Sequence, residues 1–216
     1  TTYASDGTRI GSAALVRDIT QEKKLEEKLR KLSTTDGLTG LYNRRWFDTA
    51  LSDEMQRAAR YHQMVGLLLF DVDHFKRFND THGHDQGDRV LQALGRVMQG
   101  HFREVDHPCR YGGEEFCAIL PNTGHPGAQL AAERLRQKVE SMEVDGLKVT
   151  ISIGVAIFPM VGKNPDDFLK QADLALYKAK KGGRNQVCFA DQAVPTTEPA
   201  AETGQGGGHE GSPPTS

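Results

Sequence analysis

The stretch Arg-Tyr-Gly-Gly-Glu-Glu-Phe at residues 110–116 decides the fold, because two glycines and two adjacent carboxylates stand between short apolar runs. Gly112 and Gly113 are free to take the positive φ that a tight turn between strands needs. We therefore predict a β-hairpin with strands over residues 109–111 and 116–120. Glu114 and Glu115 then lie at its tip on rigid backbone. For this stretch alone, a solvated acidic turn is the alternative.

The composition is that of a globular protein with a nearly neutral body. The 216 residues carry 27 Lys and Arg against 29 Asp and Glu, and 37% are hydrophobic. The length permits one domain with appendages or two small domains. Residues 191–216 hold four acidic side chains and no Lys or Arg, so residues 1–190 have a net charge of +2. This balance argues against extended nucleic-acid binding, which relies on a basic face, but leaves room for a local phosphate pocket.

The cysteines and the chain start indicate the cellular setting. Cys109, Cys117 and Cys188 have neither disulfide-framework nor metal-ligand spacing, which is typical of reduced cytosolic cysteines. The sequence has no apolar run of about 18 residues and no signal peptide, and it starts on Thr1. We expect a cytoplasmic fragment of a longer protein, which could be membrane-associated through a missing upstream region.

The two ends of the chain predict accessory segments. A turn at residues 6–8 and a strand over 10–16 precede a helix that Thr20 can cap. Along that helix Leu25, Leu29 and Leu32 have the four-then-three spacing of a coiled-coil seam. Two heptads make a weak coiled coil, and a solvated helical linker explains them equally well. The tail from residue 191 is rich in Pro, Gly, Thr and Glu and is predicted to be disordered.

The middle of the chain predicts helices around one sheet. Asn43 and Asn164 each precede an apolar repeat of helical spacing and are predicted N-caps. An uninterrupted apolar run over residues 65–70 predicts a central strand covered on both faces. Further helices are predicted around 90–98, over 128–142 and from 165 to the glycines at 182–183, and further strands over 148–158 and 187–189. The predicted class is α/β (α+β), with a central, mostly antiparallel sheet flanked by helices.

Carboxylates follow the central strand directly. Asp71 and Asp73 stand at its carboxyl end, where sheets covered by helices hold ligands. Mg²⁺ takes oxygen ligands from one or two carboxylates and from substrate phosphates. The pattern therefore favours a metal site, although such a pair can also simply begin the next loop.

The segments beyond this strand offer groups for a nucleotide. Backbone N–H groups and Lys76 can receive phosphate oxygens. Asn79 and Asp88 can bond a base edge, and a carboxylate suits the N1–H and N2–H₂ donors of guanine. Helix capping is the alternative for both. Lys180 and Arg184 can reach a triphosphate or can complement a helix dipole.

Taken together, the motifs resemble the GGDEF family of diguanylate cyclases, in its GGEEF variant. The matching blocks are RYGGEEF at residues 110–116, DGLTGLYNRR at 36–45, DVDHFKRFND at 71–80, GHDQGD at 83–88, SIGVA at 152–156, ADLALYKAK at 172–180 and GRN at 183–185. Residues 18–20 and the helix after them are similar to the exit from a PAS sensor domain. The expected organisation is a PAS-like remnant over 1–19, a helical linker over 20–34, the cyclase domain over 35–190 and a disordered tail over 191–216.

The resemblance implies a fold related to nucleotide cyclases and polymerase palms, and a reaction that joins two GTP into cyclic di-GMP with release of two pyrophosphates. It implies Mg²⁺, for which Mn²⁺ can substitute, held by Asp71, the Val72 carbonyl and an acid of the Glu114–Glu115 pair. Glu114 is the candidate metal ligand and proton acceptor, but the sequence does not separate its role from that of Glu115. The implied substrate-binding residues are Phe75, Lys76, Asn79, Asp88, Lys180 and Arg184.

The implied reaction needs two copies of the domain. Each 3′-hydroxyl attacks the α-phosphate of the other GTP, so we expect a homodimer. Arg103 and Asp106 match the family's inhibitory product site, where Arg can bond the N7 and O6 acceptors of guanine and Asp its donor edge. Arg134, and Arg57 from a second domain, are expected to assist. The alternative for Arg103 and Asp106 is a surface ion pair.

Two other classes of function compete with the enzyme. One is a silent domain that binds GTP or cyclic di-GMP as a receptor. The other is a dimerising sensor fragment without nucleotide chemistry. Silent members typically lack signature acids, and Asp71, Glu114 and Glu115 are all present. The sequence therefore favours the enzyme.

Overall fold

The fold was obtained as a computed structural model that describes residues 2–11, 20–21, 23 and 33–191. Strands β1 (Thr2–Tyr3) and β2 (Arg9–Gly11) pair around the predicted turn at residues 6–8. The rest of the strand predicted over 10–16 lies outside the described residues. So do the leucine seam at Leu25, Leu29 and Leu32 and the tail beyond residue 191.

Residues 33–191 build a six-stranded sheet with helices on both faces. The strands of this sheet are β3 Tyr42–Asn43, β4 Val65–Val72, β5 His107–Gly112, β6 Glu115–Pro121, β9 Ile151–Phe158 and β10 Val187–Phe189. The helices are α1 Arg44–Tyr61, α2 Phe75–His82, α3 His84–Gln99, α4 His125–Ser141 and α5 Pro165–Lys181. Strands β7 (Glu143–Val144) and β8 (Leu147–Lys148) form a separate hairpin. Among the described helices, none is long and apolar enough to cross a lipid bilayer.

The strand order is β10-β9-β4-β6-β5-β3, which puts β4 in the interior of the sheet. Strand β4 pairs antiparallel with both β6 and β9, and β5 pairs antiparallel with β6. Only the two outer pairings of this sheet, β3 with β5 and β9 with β10, are parallel. The predicted mostly antiparallel sheet and its buried central strand are confirmed.

Strand β4 separates two hydrophobic cores. Its Leu68 and Phe70 pack with residues of α2, α3 and α4, whereas Leu67 and Leu69 pack with α1 and α5. The alternation follows from the two-residue period of a strand. Each fully buried side chain of this size contributes about 1.5–3 kcal/mol. The strand is therefore anchored from both sides, and its carboxyl end is fixed in space.

The caps and ends of the helices follow the sequence closely. The side-chain oxygen of Asn43 accepts the N–H of Trp46 at 3.0 Å, and that of Asn164 accepts the N–H of Asp167 at 2.9 Å. Both predicted N-caps are confirmed, as is the end of α5 before Gly182.

Two predicted boundaries are wrong. Helix α4 begins at His125, three residues before the predicted start, because Pro126 is well tolerated in a first helical turn. The strand predicted over 148–158 is interrupted between β8 and β9. Asp145 and Gly146 have φ values of 52° and 80°, and this turn folds β8 back onto β7.

Candidate active site

The hairpin of β5 and β6 carries the signature acids. Its strands are longer than predicted, so Glu115 belongs to β6 and only Gly113 and Glu114 form the turn. Gly113 has a φ of 52°, while Gly112 stays outside the positive-φ region. The hairpin prediction is confirmed, but only one of the two glycines needs its conformational freedom.

The hairpin places these acids beside the end of the central strand. Asp71 of β4 is the direct partner of Glu115 across the β4–β6 ladder. Side chains so paired have Cβ atoms about 4.5–5.5 Å apart on one face of the sheet. The N–H of Val72 donates to the carbonyl of Glu114 at 3.3 Å. Asp71 at the end of β4, Glu115 on β6 and Glu114 in the turn thus lie near enough for the charges of both glutamates to act on Asp71. We call these three carboxylates the acidic cluster.

Lys180 at the end of α5 faces the acidic cluster. Its Nζ lies 3.0 Å from Oδ2 of Asp71, whose side chain is only 13% exposed. Burial raises the pKa of Asp71, the contact with Lys180 opposes this, and the neighbouring charges of Glu114 and Glu115 raise the pKa further. The excess of negative charge makes the cluster a favourable place for an additional cation.

The donor set fits Mg²⁺ completed by a nucleotide rather than a site made by protein alone. Within the described part of the chain, no three His, Cys, Asp or Glu side chains converge closely enough to hold a metal ion. Mg²⁺ usually takes one or two carboxylates and fills its remaining positions with waters and phosphate oxygens. Asp71 and Glu115, paired across adjacent strands, meet that requirement. The carbonyl of Val72 as a ligand stays a prediction.

Helices α2 and α3 bring the predicted guanine-binding residues together. Asn79 Oδ1 is buried and, among the described residues, has no hydrogen-bond partner. A Cβ on Gly87 would lie 2.0 Å from that oxygen and 3.1 Å from Cζ of Phe75, so this close approach requires glycine. Asp88 follows Gly87 and is exposed. An unsatisfied buried acceptor is costly, which makes Asn79 a favourable contact for a ligand donor.

Helix capping does not explain Asn79 or Asp88. Each is the fifth residue of its helix, and the N-cap residues of α2 and α3 are His74 and Gly83. That alternative is wrong.

The predicted phosphate-binding residues are dispersed around the acidic cluster. Lys76 is exposed in the first turn of α2, and Arg184 is exposed in the loop after α5. Lys180 contacts Asp71. A cavity of about 530 Å³ lies on α2, but of the described residues that line it none is a predicted substrate contact. The phosphate contacts stay predictions.

Sequence reasoning missed a pair that braces the hairpin. Arg110 donates to the carbonyl of Gly113 at 3.0 and 2.8 Å, and to both carboxylate oxygens of Asp36 at 3.1 and 3.2 Å. Burial raises the pKa of Asp36, but hydrogen bonds from Thr39 and Arg110 outweigh it and hold that pKa below its usual value. Both residues stand in the matching motifs, and that was the available signal.

Asp73 has a different environment from Asp71. It is 7% exposed, and its carboxylate accepts the hydroxyls of Thr150 at 2.7 Å and Ser152 at 2.6 Å. It also accepts the backbone N–H of Asn185 at 3.0 Å. With three donors, Asp73 ties β4 to β9 and to the loop that follows α5.

Arg103 and Asp106 are paired with each other. Arg103 donates to Oδ1 of Asp106 at 2.7 Å, and this contact raises the pKa of Arg103. Asp106 is buried, and Arg103 also donates to the hydroxyl of Thr123 at 2.9 Å. The ion-pair alternative is therefore observed, although it does not exclude ligand binding.

The same two residues line a cavity of about 190 Å³, which we call the Arg103 cleft. Arg134 lines it as well, so the structure brings three of the four predicted product-site residues together. Arg57 is not among the described residues that line it and lies 2.9 Å from Glu54 on α1.

Comparisons with known proteins agree with this geometry. Residues 33–186 match the family described as "Diguanylate cyclase, GGDEF domain". The chain is 41% identical over 188 residues to response regulator PleD of Caulobacter vibrioides, covering 81% of this chain and 41% of that protein. It is 41% identical over 168 residues to probable diguanylate cyclase DgcC of Escherichia coli, covering 75% and 44%. The chain thus spans less than half the length of these relatives.

A solved structure gives the same result. The coiled coil and GGDEF domain of DgcB from Caulobacter crescentus, in complex with c-di-GMP, matches with a TM-score of 0.75 and 33% identity. The match covers 80% of this chain and 94% of that one. With the family match over residues 33–186, these likenesses establish that the chain belongs to the GGDEF family of diguanylate cyclase domains.

Proposed function

We propose that this protein is a diguanylate cyclase of the GGEEF variant, which condenses two GTP into cyclic di-GMP and releases two pyrophosphates. One observation carries the proposal: Asp71 lies opposite Glu115 at the end of the central strand, beneath Lys180. The acids come from two separate motifs and meet only through the fold. Family membership and the named relatives support the same activity.

Diguanylate cyclases of the GGDEF family generally depend on a divalent metal. We infer Mg²⁺ here, with Mn²⁺ as a substitute, held by Asp71, Glu114, Glu115 and the Val72 carbonyl. When bound, the ion stabilises charge on the α-phosphate and the pyrophosphate and lowers the pKa of the attacking 3′-hydroxyl.

The side chains around the cluster bind and orient the nucleotide. Glu114 accepts the proton of the 3′-hydroxyl, and its position in the turn leaves it accessible to a second nucleotide. Lys180 moves from Asp71 toward the triphosphate, which Lys76 and Arg184 also contact. The guanine lies between α2 and α3, bonded by Asn79 and Asp88, with Phe75 at the base of the pocket.

Catalysis requires two facing subunits. One site of this kind places one GTP, and its 3′-hydroxyl must reach the α-phosphate held by a second copy. We therefore propose a homodimer, aligned by the Leu25, Leu29 and Leu32 helix and by an upstream PAS-like domain. The rate per subunit then falls on dilution below the dimer dissociation constant.

The Arg103 cleft is proposed to bind the product and thereby inhibit the enzyme. Arg103 is 58% exposed and keeps N–H groups available beside its contact with Asp106. Arg134 in the cleft and Arg57 of a second subunit complete the site. A guanine that bonds Arg103 and Asp106 would share or displace their mutual hydrogen bonds.

We propose the domain organisation that the sequence predicts. Residues 1–19 end a PAS-like sensor domain, 20–34 link it to the cyclase domain, and 35–190 form the cyclase domain. We propose a cytoplasmic location for the cyclase domain, where its substrate GTP is made and used.

The direct test is incubation with GTP and MgCl₂ followed by anion-exchange chromatography. We expect cyclic di-GMP and pyrophosphate, and loss of both with Glu114→Gln or Glu115→Gln. Glu143→Gln, an exposed carboxylate of β7, is the matched control and should retain activity. Folded protein that binds cyclic di-GMP without forming it would support the receptor alternative instead.

A further inference from the structure

The loop that carries Arg184 has an unusual backbone. Gly183, Arg184 and Asn185 have φ values of 117°, 65° and 43°, so three consecutive residues are left-handed. Arginine rarely adopts this conformation without support from its surroundings, whereas asparagine does so more readily. Contacts outside the loop must therefore hold it.

Asn185 supplies those contacts. Its N–H donates to Asp73 at 3.0 Å, its side-chain Nδ2 donates to Glu140 at 2.7 Å, and its Oδ1 accepts from Arg136 at 2.8 Å. The backbone and both polar atoms of the side chain are engaged. On the preceding side, the N–H of Arg184 donates to the carbonyl of Ala179 at 3.0 Å.

Arg136 on α4 is the centre of this network. Its side chain is 13% exposed, and it bonds Glu133 at 2.7 Å and Glu140 at 2.8 Å besides Asn185. The hydrogen bonds that Arg136 donates to Glu133 are the main cause of the raised pKa of Arg136. A planar guanidinium holding three partners in fixed directions is well suited to orient a loop.

We propose that Arg136 is a positioning residue for GTP binding. Through Asn185 it holds the left-handed backbone from which Arg184 projects, so the guanidinium of Arg184 meets the triphosphate without first ordering the loop. Preorganisation of this kind lowers the entropic cost of binding. The inference rests on the proposed function, since it assigns a role within the same nucleotide site.

The first test is Arg136→Met, which keeps much of the apolar stem and removes the hydrogen bonds. We expect the KM for GTP to rise about tenfold, as is typical when an outer partner of a binding group is lost, with kcat little changed. Lys138→Met on the same helix is the matched control, because Lys138 is exposed. A KM that changes no more in Arg136→Met than in Lys138→Met would overturn the proposal.

A double-mutant cycle with Arg184→Ala separates positioning from a general structural effect. If Arg136 acts through Arg184, Arg136→Met adds nothing to the KM of Arg184→Ala. Equal effects in the two backgrounds would contradict the proposal. Asn185→Gly is a second variant, because glycine accepts the left-handed backbone while the side-chain contacts are lost. It should reproduce the KM increase of Arg136→Met.

Hydrogen–deuterium exchange gives a readout that needs no turnover. The amides of residues 184–186 should exchange about tenfold faster in Arg136→Met, with the β4 amides unchanged. If the wild type forms no cyclic di-GMP, the proposed function is refuted. Faster exchange in Arg136→Met would still support the role of Arg136 in holding the loop. Unchanged exchange would refute the positioning role alone.

Discussion

The acidic cluster and the Arg103 cleft satisfy their charges in opposite ways. In the cluster, Asp71 has a raised pKa, and Lys180 faces three carboxylates. In the cleft, Arg103 and Asp106 neutralise each other at 2.7 Å. The first region is stabilised when a bound ion brings positive charge. In the second region Arg103 and Asp106 already pair their charges, so a ligand must share their hydrogen bonds. We therefore expect mutations in the cluster to change activity strongly, and mutations in the cleft to change regulation and stability.

The largest expected effect is that of Asp71→Asn. Removing this carboxylate takes away a proposed metal ligand, and we expect turnover to fall at least about 100-fold. The fold should not suffer, because the raised pKa of Asp71 shows that its charged form is disfavoured there. Initial rates and thermal unfolding together test both statements. The control is Asp173→Asn, which changes an exposed carboxylate of α5 and should behave as wild type. Turnover that survives Asp71→Asn would remove the contrast between the two regions.

The brace beneath the cluster should give a smaller effect. Arg110→Lys keeps the charge but loses the fork that joins Asp36 to the carbonyl of Gly113. We expect kcat to fall about tenfold, because small displacements of reacting groups are costly. The comparison variant is Arg60→Lys, exposed on α1. Equal rates for both variants would show that the hairpin keeps its position without the brace.

These two predictions also show what could be read from the sequence. The run over residues 65–70 and the acids of the hairpin predicted a central strand beside a turn, and both were found. Motif order placed Asp71 and Glu115 in one site, and strand register then made them direct partners. Local periodicity and caps are encoded within a few residues, which is why these predictions succeeded.

Contacts between distant segments were not readable in the same way. Arg110 and Asp36 are 74 residues apart, and Asn185 and Asp73 are 112 residues apart. No periodicity links such positions, and only the folded chain brings them together. The hairpin of β7 and β8 was missed for a local reason, because Asp145 and Gly146 were not recognised as a two-residue turn.

The third prediction concerns the Arg103 cleft. Arg103→Ala should relieve product inhibition, with an increase of about tenfold in the inhibition constant, or roughly 1.4 kcal/mol. The maximal rate should stay unchanged, because Arg103 lies outside the acidic cluster. We expect the free energy of unfolding to fall by only about 1 kcal/mol, since the backbone N–H of Arg103 still donates to Asp106.

The matched control for Arg103→Ala is Arg89→Ala, which breaks an exposed ion pair of 2.8 Å between Arg89 and Asp145. Inhibition by cyclic di-GMP, measured as initial rate against added product, should be unchanged in this control. Inhibition that persists in Arg103→Ala would mean that the cleft is only a structural ion pair.

The smallest expected effect is an acid response on the cleft side of the molecule. His107 follows Asp106, and its Nε2 lies 3.8 Å from Glu54. Burial lowers the pKa of His107, Glu54 and Asp106 oppose this, and Arg57 adds to the lowering. An unfolded histidine takes up its proton near pH 6.5, so below that pH the unfolded state binds more protons than the folded state. Stability is therefore lost as the pH falls from about 6.5 through the lower pKa of the folded protein.

His107→Gln removes this proton uptake, and the unfolding temperature should then fall less between about pH 7 and about pH 5.5 than in the wild type. His101, whose pKa is also lowered chiefly by burial, remains in the variant and keeps part of the response. In the double variant with His107→Gln and His101→Gln, the unfolding temperature should change still less with pH. An acid response that is the same in His107→Gln and in the wild type would place its origin elsewhere. The acidic cluster contains no histidine. The loss of stability that His107 causes at acid pH therefore belongs to the side of the molecule that holds the paired Arg103 and Asp106.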